Sequence, residues 1–324
     1  MPSFDEPIPA PSTKMLYLGD SGAGKTGSIV ALAAAGYEVR ILDLDRGVEI
    51  LQDFVTNPAS PYLQDSIREL PNGKKETRWL GKDNLKSLAS RISYVTITED
   101  YTIKAGQPIP KGTAWKQLSN QLNDWTDGPR RFGNIATWGP NVVLVVDSLS
   151  RVASAAFDFQ LVMNGRALAG PQQADYGKAQ IDVERLLTML YSDAVKCNVI
   201  VVAHINYIEN EQKISKGFAQ TIGKALSPKI GQYFNHALMA RSSGQGAGAK
   251  RVIMTSTYGM VELKNTAPLR VQAEYPLATG LADYFSDVRK GAPVAPPIPA
   301  PAAKPGAPPA PAPATSSGAP APTP

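Results

Sequence analysis

Gly19-Asp-Ser-Gly-Ala-Gly-Lys-Thr26 satisfies G-x-x-x-x-G-K-[ST] at every constrained position. It stands between the apolar run Met15 to Leu18 and the Ala-rich segment Ser28 to Ala35, so the spacing predicts a strand, a phosphate-binding loop and a helix in that order. The residue types follow from the task of wrapping a polyphosphate. Glycines let the backbone curl with its N–H groups inward, so Gly19, Asp20, Ser21, Gly22, Ala23, Gly24, Lys25 and Thr26 form one cradle. Lys25 meets the outer phosphates, the Thr26 hydroxyl is a candidate Mg²⁺ ligand, and the helix that follows adds its positive N-terminal end.

Working outward, further strands end in polar residues. Glu38-Val-Arg-Ile-Leu-Asp-Leu-Asp45 reads as a second buried strand that brings two carboxylates close to the phosphates. Asn141-Val-Val-Leu-Val-Val-Asp147-Ser148 is a continuous β-branched run closed by an acid, the form of a central parallel strand whose C-terminal end faces a ligand. Asp147 is therefore a Walker B candidate that holds Mg²⁺. Hydrolysis of a bound nucleotide also needs a group that orients or deprotonates the attacking water. Asp45 is the first candidate and Glu49, one helical turn beyond, the alternative, whereas Asp43 alternates to the other face of its strand. The run Asn198 to Ala203 is another buried strand and delivers His204 at its end. Strands alternating with helices specify an α/β fold, a mostly parallel sheet flanked by helices. Ala237 to Arg241, Arg251 to Thr257 and Gly259 to Lys264 are expected to be C-terminal strands added antiparallel.

Between these pieces, Gln52 to Arg91 is polar and punctuated by Asn57-Pro58, Ser60-Pro61 and Pro71-Asn-Gly73, which predicts short helices and turns. Ser93 to Thr98 alternates as a strand. Thr113 to Trp125 has helical spacing, with Trp115, Leu118, Leu122 and Trp125 on one apolar face. A polar segment, Asn164 to Gly177, precedes an amphipathic helix through Ala179, Val183, Leu186, Leu187 and Leu190.

Of the 324 residues, roughly 14–290 are expected to fold as one unit, with 52–91 as an insertion. Residues 1–13 hold four prolines and form an N-terminal arm. Residues 291–324 are almost purely Pro and Ala, with Lys304 the only charge, and are expected to be a disordered spacer; P-x-x-P docking is the alternative. The formal net charge of +5 and pI near 9.1 suit a polyanionic partner and fall short of a dedicated nucleic-acid coat. No basic-plus-apolar leader and no membrane span is present in the sequence, so a soluble, cytoplasmic protein is expected. A single cysteine, Cys197, excludes an intrachain disulfide and precedes an apolar run as a core thiol does.

This order of parts resembles the RecA-like core ATPases: the P-loop, ILDLD (41–45), VVLVVDS (142–148), AHIN (203–206), GKALSPKIGQYFN (223–235) and ELKN (262–265). Within that superfamily the nearest resemblance is to the phage-encoded Sak-type single-strand-annealing ATPases, whose helical segment is similar to QQADYGKAQIDVERLL (172–187). The resemblance implies a RecA-like P-loop NTPase core using ATP and Mg²⁺, acting on single-stranded DNA as a homo-oligomeric ring or filament, in the host cytoplasm and alongside a single-strand-binding protein. It places Asp45 where the family keeps a catalytic Glu, one methylene longer, and His204 where it keeps a Gln that senses the γ-phosphate. Lys264 resembles the lysine that reaches a neighbouring subunit's phosphates, although Thr266 stands where an arginine sometimes follows. The segment Asn206 to Lys224 corresponds to a DNA-touching loop, with Lys213, Lys216 and Lys224 for phosphates and Phe218 for base stacking, while Glu209 and Glu211 dilute its charge. Arg166 occupies a similar place in an earlier loop. Two other readings stay open: a nucleotide-gated assembly or helicase-loading protein with little turnover, and a small-molecule kinase using Lys74, Lys75 and Arg78 as a lid. No N-K-x-D string supports a guanine-specific switch.

Overall fold

The computed structural model describes residues 12–57, 60, 62, 66–69, 75–79, 85–209, 213, 215–244 and 249–290. Residues 1–11 of the expected arm and the whole of the expected tail, 291–324, lie outside the described residues. The first strand, β1 (Lys14–Leu18), runs into the P-loop and then into two short helical segments, α1 (Lys25–Ser28) and α2 (Val30–Ala34). There follow β2 (Glu38–Asp43), α3 (Glu49–Thr56), the antiparallel pair β3 (Ser66–Glu69) and β4 (Lys75–Trp79), α4 (Leu85–Ser90) and β5 (Ile92–Thr96). A hairpin of β6 (Tyr101–Lys104) and β7 (Gln107–Pro110) leads to α5 (Thr113–Asn123), and a second, of β8 (Trp125–Asp127) and β9 (Arg130–Gly133), leads to β10 (Val142–Asp147). Helices α6 (Leu149–Met163) and α7 (Gln173–Tyr191) precede β11 (Asn198–Ala203), the hairpin β12 (Ile205–Glu209) and β13 (Ser215–Ala219), and α8 (Gly223–Leu226). The described chain closes with β14 (His236–Ser243), β15 (Lys250–Met254), β16 (Glu274–Pro276) and α9 (Leu277–Lys290).

Eight strands form one sheet in the order β16-β15-β14-β1-β11-β10-β2-β5. The six from β14 to β5 are parallel, and β15 and β16 are antiparallel at one edge. This is the expected mostly parallel sheet, with β1 central and the later strands inserted beside it. The central strands read as unbroken apolar runs because both faces are covered. Leu16, Leu144, Val146, Val199 and Val201 face a cluster with α5, α6 and α7, while Met15, Tyr17, Val143, Val145, Ile200 and Val202 face one with α2 and α9. Each fully buried Val, Leu or Ile contributes roughly 1.5–3 kcal/mol, so a charge at Val145 would break the centre of the sheet. Cys197 is buried, free and in the first cluster, and burial raises its pKa. Among the described residues no helix is long and apolar enough to cross a membrane.

Several local expectations are corrected. β14 lies parallel to β1, because the chain crosses over from β11 before entering it. Gly259 to Lys264 makes only isolated bridges: Gly259 has φ 57°, Tyr258 turns back onto Val261, and the run never pairs over its length. Trp125 leaves the helix and begins β8, where its Nε1 donates to Ser93 Oγ at 2.9 Å and its ring meets Trp138 edge-on. The 52–91 region contains the pair β3 and β4 flanking Pro71-Asn-Gly73, as well as helices. A hairpin, β12 with β13, replaces much of the expected loop after His204. Helix α9 runs from Leu277, beside the P-loop, to Lys290, with Arg289 in its last turn. There the guanidinium donates to Tyr37 Oη at 2.7 Å, Pro140 O at 3.1 Å and Asn198 Oδ1 at 3.0 Å, beneath the N-terminal ends of β10 and β11.

Candidate nucleotide site

The P-loop is held in shape by backbone that only glycine tolerates. Gly24 has φ 90°, and a Cβ there would lie 2.5 Å from Leu277 Cδ2; a Cβ on Gly19 would lie 2.7 Å from the Ala240 carbonyl oxygen. The loop is thus wedged between β14 and α9. Lys25 turns its ammonium onto its own loop, donating to the carbonyls of Gly19 at 2.7 Å and Asp20 at 2.8 Å. Burial lowers its pKa, while Asp147, Asp20 and Asp45 pull the other way. Ala23 is buried, and Asp20, Ser21 and Gly22 face solvent.

Parallel register sets the acids abreast, with Asp147 opposite Asp43 on one side and Val202 on the other. Thr26 Oγ1 donates to Asp147 Oδ2 at 2.6 Å. Burial pushes the Asp147 carboxyl up to about 6, Thr26 pulls it down, and Asp45 and Asp43 push it up further. The Asp147–Ser148 peptide is cis. A buried carboxylate paired with a hydroxyl, beside an ammonium and two further acids, fits a hard divalent cation, which would offset the cost of keeping Asp147 ionised.

Asp43 is buried and structural. Its Oδ1 accepts from the Gly47 N–H at 2.9 Å and its Oδ2 from Thr96 Oγ1 at 3.4 Å, closing the turn that aims Asp45. Burial raises its pKa against those hydrogen bonds. Asp45 lies beside Asp147, its N–H donating to the Asp147 carbonyl at 3.2 Å. Its Oδ1 accepts from Arg151 Nε at 3.0 Å, and its Oδ2 is 3.5 Å from His204 Nε2. Lys25, Thr26, Asp45, Asp147 and His204 all line one cavity of about 750 Å³ at the C-terminal rim of the sheet. Its other side is apolar, formed by Ile50, Phe54, Tyr62 and Leu277, the form of a surface for a planar base. Glu49 is exposed at the start of α3, outside that lining.

The structure brings in two arginines that sequence reading passed over. Arg151 stands on the first turn of α6, four residues after Asp147, a spacing that strand-end Asp followed by helix makes readable. Arg251 reaches the cavity from β15, and only the antiparallel return of that strand puts it beside Gly24. Lys264 stands apart: its backbone exchanges hydrogen bonds with Ala237, at 2.8 and 3.2 Å, low on β14, and it does not line its own chain's cavity. Burial lowers its pKa.

The candidate DNA residues divide by surroundings. Lys213 is exposed at φ 58°, Lys216 is exposed on β13 and ion-pairs with Glu262 at 2.6 Å, and Phe218 is half-buried opposite Asn206. Lys224 lies on α8. Arg166 forms an ion pair with the fully buried Asp175, which also accepts from Asn164 Nδ2 at 2.7 Å and the Gln172 N–H at 2.9 Å. The Arg166 hydrogen bond holds the Asp175 carboxyl well below the usual range.

No curated protein sequence matches this chain. Among solved structures, the chain is similar to the RadB recombinase, at 13% identity over 84% of this chain and 90% of that one, with a TM-score of 0.40. A KaiC-like protein of the archaeon Pyrococcus horikoshii OT3 matches at 10% identity over 82% and 84%, TM-score 0.36. The flagellar accessory protein FlaH of Methanocaldococcus jannaschii matches at 10% over 83% and 88%, TM-score 0.37. A family profile described as an AAA domain matches residues 12–267, from the strand before the P-loop to beyond Lys264. With that span and the P-loop geometry together, the chain belongs to the AAA domain family AAA_24, a family of P-loop ATPases.

Proposed function

We propose that this protein binds and hydrolyses ATP with Mg²⁺ and acts on single-stranded DNA as a homo-oligomer, ring or filament, in recombination or annealing. The observation that carries the ATPase reading is the convergence of Lys25, Thr26, Asp147 and Asp45 on one cavity, with Thr26 and Asp147 in direct contact. In this reading the P-loop N–H groups and Lys25 hold the phosphates, and Thr26 and Asp147 would hold a Mg²⁺ ion, which would supply neutralisation of phosphate charge. Asp45 orients the attacking water, and His204 senses the outer phosphate. Lys264 acts on a neighbouring subunit, in keeping with its distance from its own cavity. Lys213, Lys216, Lys224 and Phe218 supply the DNA contact, and Arg166 acts through the loop it anchors. A phage origin of Sak type, a host-cytoplasm setting, a single-strand-binding partner, and a 14–290 ATPase unit with arm and tail complete the proposal.

The test is the ATPase rate with and without single-stranded DNA, on wild type and Asp147→Asn. Stimulation by DNA in wild type and no turnover in the variant is the expected result; turnover indifferent to DNA sinks the DNA half of the reading. The second reading, a nucleotide-gated assembly protein with little turnover, is favoured by one observation: Asp45 is already engaged by Arg151 and faced by His204. ATP-dependent growth in oligomer size with negligible hydrolysis would select it.

A further inference from the structure

Asp45, Arg151 and His204 also line a second cavity, of about 690 Å³, so these three side chains form a partition between two hollows. One wall of the second cavity is aromatic. Phe157 of α6 and Tyr176 of α7 stack with ring centroids 4.6 Å apart and planes tilted by 31°, and Tyr101 of β6 adds an exposed third ring. Two polar groups there have no hydrogen-bond partner among the described residues. Among the described residues nothing donates a hydrogen bond to Asp158, whose carboxyl burial and Glu99 push up to about 6, and Thr221 Oγ1 is buried without a partner. Glu99 is itself occupied, accepting from the N–H groups of Lys111, Thr113 and Ala114. At the partition, Arg151 and His204 offer donors, and the lining at Gln220, Thr221 and Ile222 follows directly from β13.

Rings, an unpaired carboxyl and an unpaired hydroxyl, with a guanidinium in the same cavity, match a molecule that carries both a planar amine-bearing ring and an anion. We propose that this cavity receives one nucleotide unit of single-stranded DNA, its base against Tyr176 and Phe157, its exocyclic amine toward Asp158 and its phosphate toward Arg151. The proposal rests on the single-stranded-DNA reading above. A lysine or arginine from a protein partner would also suit the rings and the carboxyl, but it would meet the largely exposed Arg151 at the same mouth, where a nucleotide brings an anion. A phosphate at Arg151 competes with Asp45 for the guanidinium, so filling the second cavity loosens the ion pair that faces the first.

The experiment measures binding of the full chain to labelled dA, dC and dT homopolymers and to an abasic strand of equal length, at several salt concentrations. Wild type is expected to favour dA and dC over dT and to bind the abasic strand most weakly. Tyr176→Ala is expected to weaken the base-bearing strands about ten-fold with an unchanged salt slope, Tyr176→Trp to restore them, and Asp158→Leu to erase the preference for dA and dC. If Tyr176→Ala binds all strands as wild type does, or loses the abasic strand equally, the pocket is not a base site. Tyr176→Trp, which keeps a ring on α7, covers the case in which the alanine variant misfolds: wild-type-like discrimination supports the site, and its loss overturns it. Intact DNA binding with a smaller oligomer in Asp158→Leu would assign the cavity to a protein cation and overturn the proposal. Wild type that binds no strand at all would instead remove the DNA reading on which the proposal stands.

Discussion

Arg151 and Asp45 are joined by an ion pair, Nε to Oδ1 at 3.0 Å, between the first turn of α6 and the residue proposed to meet the attacking water. The Arg151 side chain is 65% exposed, so the pair is worth at most about 1 kcal/mol and yields readily to a phosphate. Arg151→Ala should therefore raise basal ATPase a few-fold, and Asp45→Asn should lower it by about 10²-fold. The double variant should be as slow as Asp45→Asn. A wild-type rate in Asp45→Asn would transfer the water-orienting role elsewhere, with Glu49→Gln the next variant to assay.

Burial of Asp147 gives a prediction with a definite sign. Its folded carboxyl holds a proton up to about pH 6, against 3.8 ordinarily, so the folded state binds more protons in between. Its contribution to stability is full below about pH 4 and is lost as the pH rises through 6, a difference of about 3 kcal/mol. At pH 7.5 nucleotide-free Asp147→Asn should be more stable than wild type by up to that amount, yet gain nothing from ATP and Mg²⁺. Urea denaturation with and without ligand measures both effects; stabilisation of the variant by ATP and Mg²⁺ equal to that of wild type would contradict the metal role.

His236 has the opposite sign. It is buried, its Nδ1 is 2.6 Å from Tyr284 Oη, and burial, reinforced by Lys264, lowers its pKa to about 4 from 6.5. The folded state binds fewer protons, so its contribution is present above about pH 6.5 and lost as the pH falls through 4, again about 3 kcal/mol. The stability of His236→Asn relative to wild type should improve as the pH drops across that window, and a flat difference curve would rule the effect out.

Two glycines of the P-loop separate strain from crowding. At Gly22, φ is 75° and an added Cβ meets open space, so Gly22→Ala should cost only about 1–2 kcal/mol of backbone strain. Gly24→Ala adds the 2.5 Å approach to Leu277 and should be worse, with Leu277→Ala recovering part of the loss. Calorimetric ATP affinity and thermal melting across the three variants check the order.

Arg166 should behave as an anchor. Asp175 is fully buried, so Arg166→Ala leaves a buried carboxylate with its main cationic partner removed and should lower the melting temperature. The salt slope of DNA binding should stay as in wild type. Lys213→Ala and Lys216→Ala should each flatten that slope by about one unit without affecting melting; the reverse pattern would exchange the roles.

The P-loop and the β2, β10 and β11 runs were legible because a strand covered on both faces must be apolar throughout, and because an acid or histidine at its end has only one rim to occupy. Asp147, Asp45 and His204 could be placed from that alone. Asp43 was readable as a strand residue facing away, but the turn it closes depends on Gly47 and Thr96, the latter on a neighbouring strand. Arg251 left no local signal, since the return of β15 along the sheet edge is a long-range event. The β12 and β13 hairpin was hidden by lysines and glycines that composition reads as loop, and Trp125 by a helical spacing that continued two residues past the helix.

Helix α9 begins against Gly24 and carries Arg289 in its last turn under the opposite rim, and its 14 residues span about 21 Å. Lys290 thus lies at the opposite rim of the sheet from the nucleotide cavity. A fluorophore or surface anchor placed there would leave the mouth of the cavity clear, while sharing a rigid rod with the leucine that touches the phosphate loop.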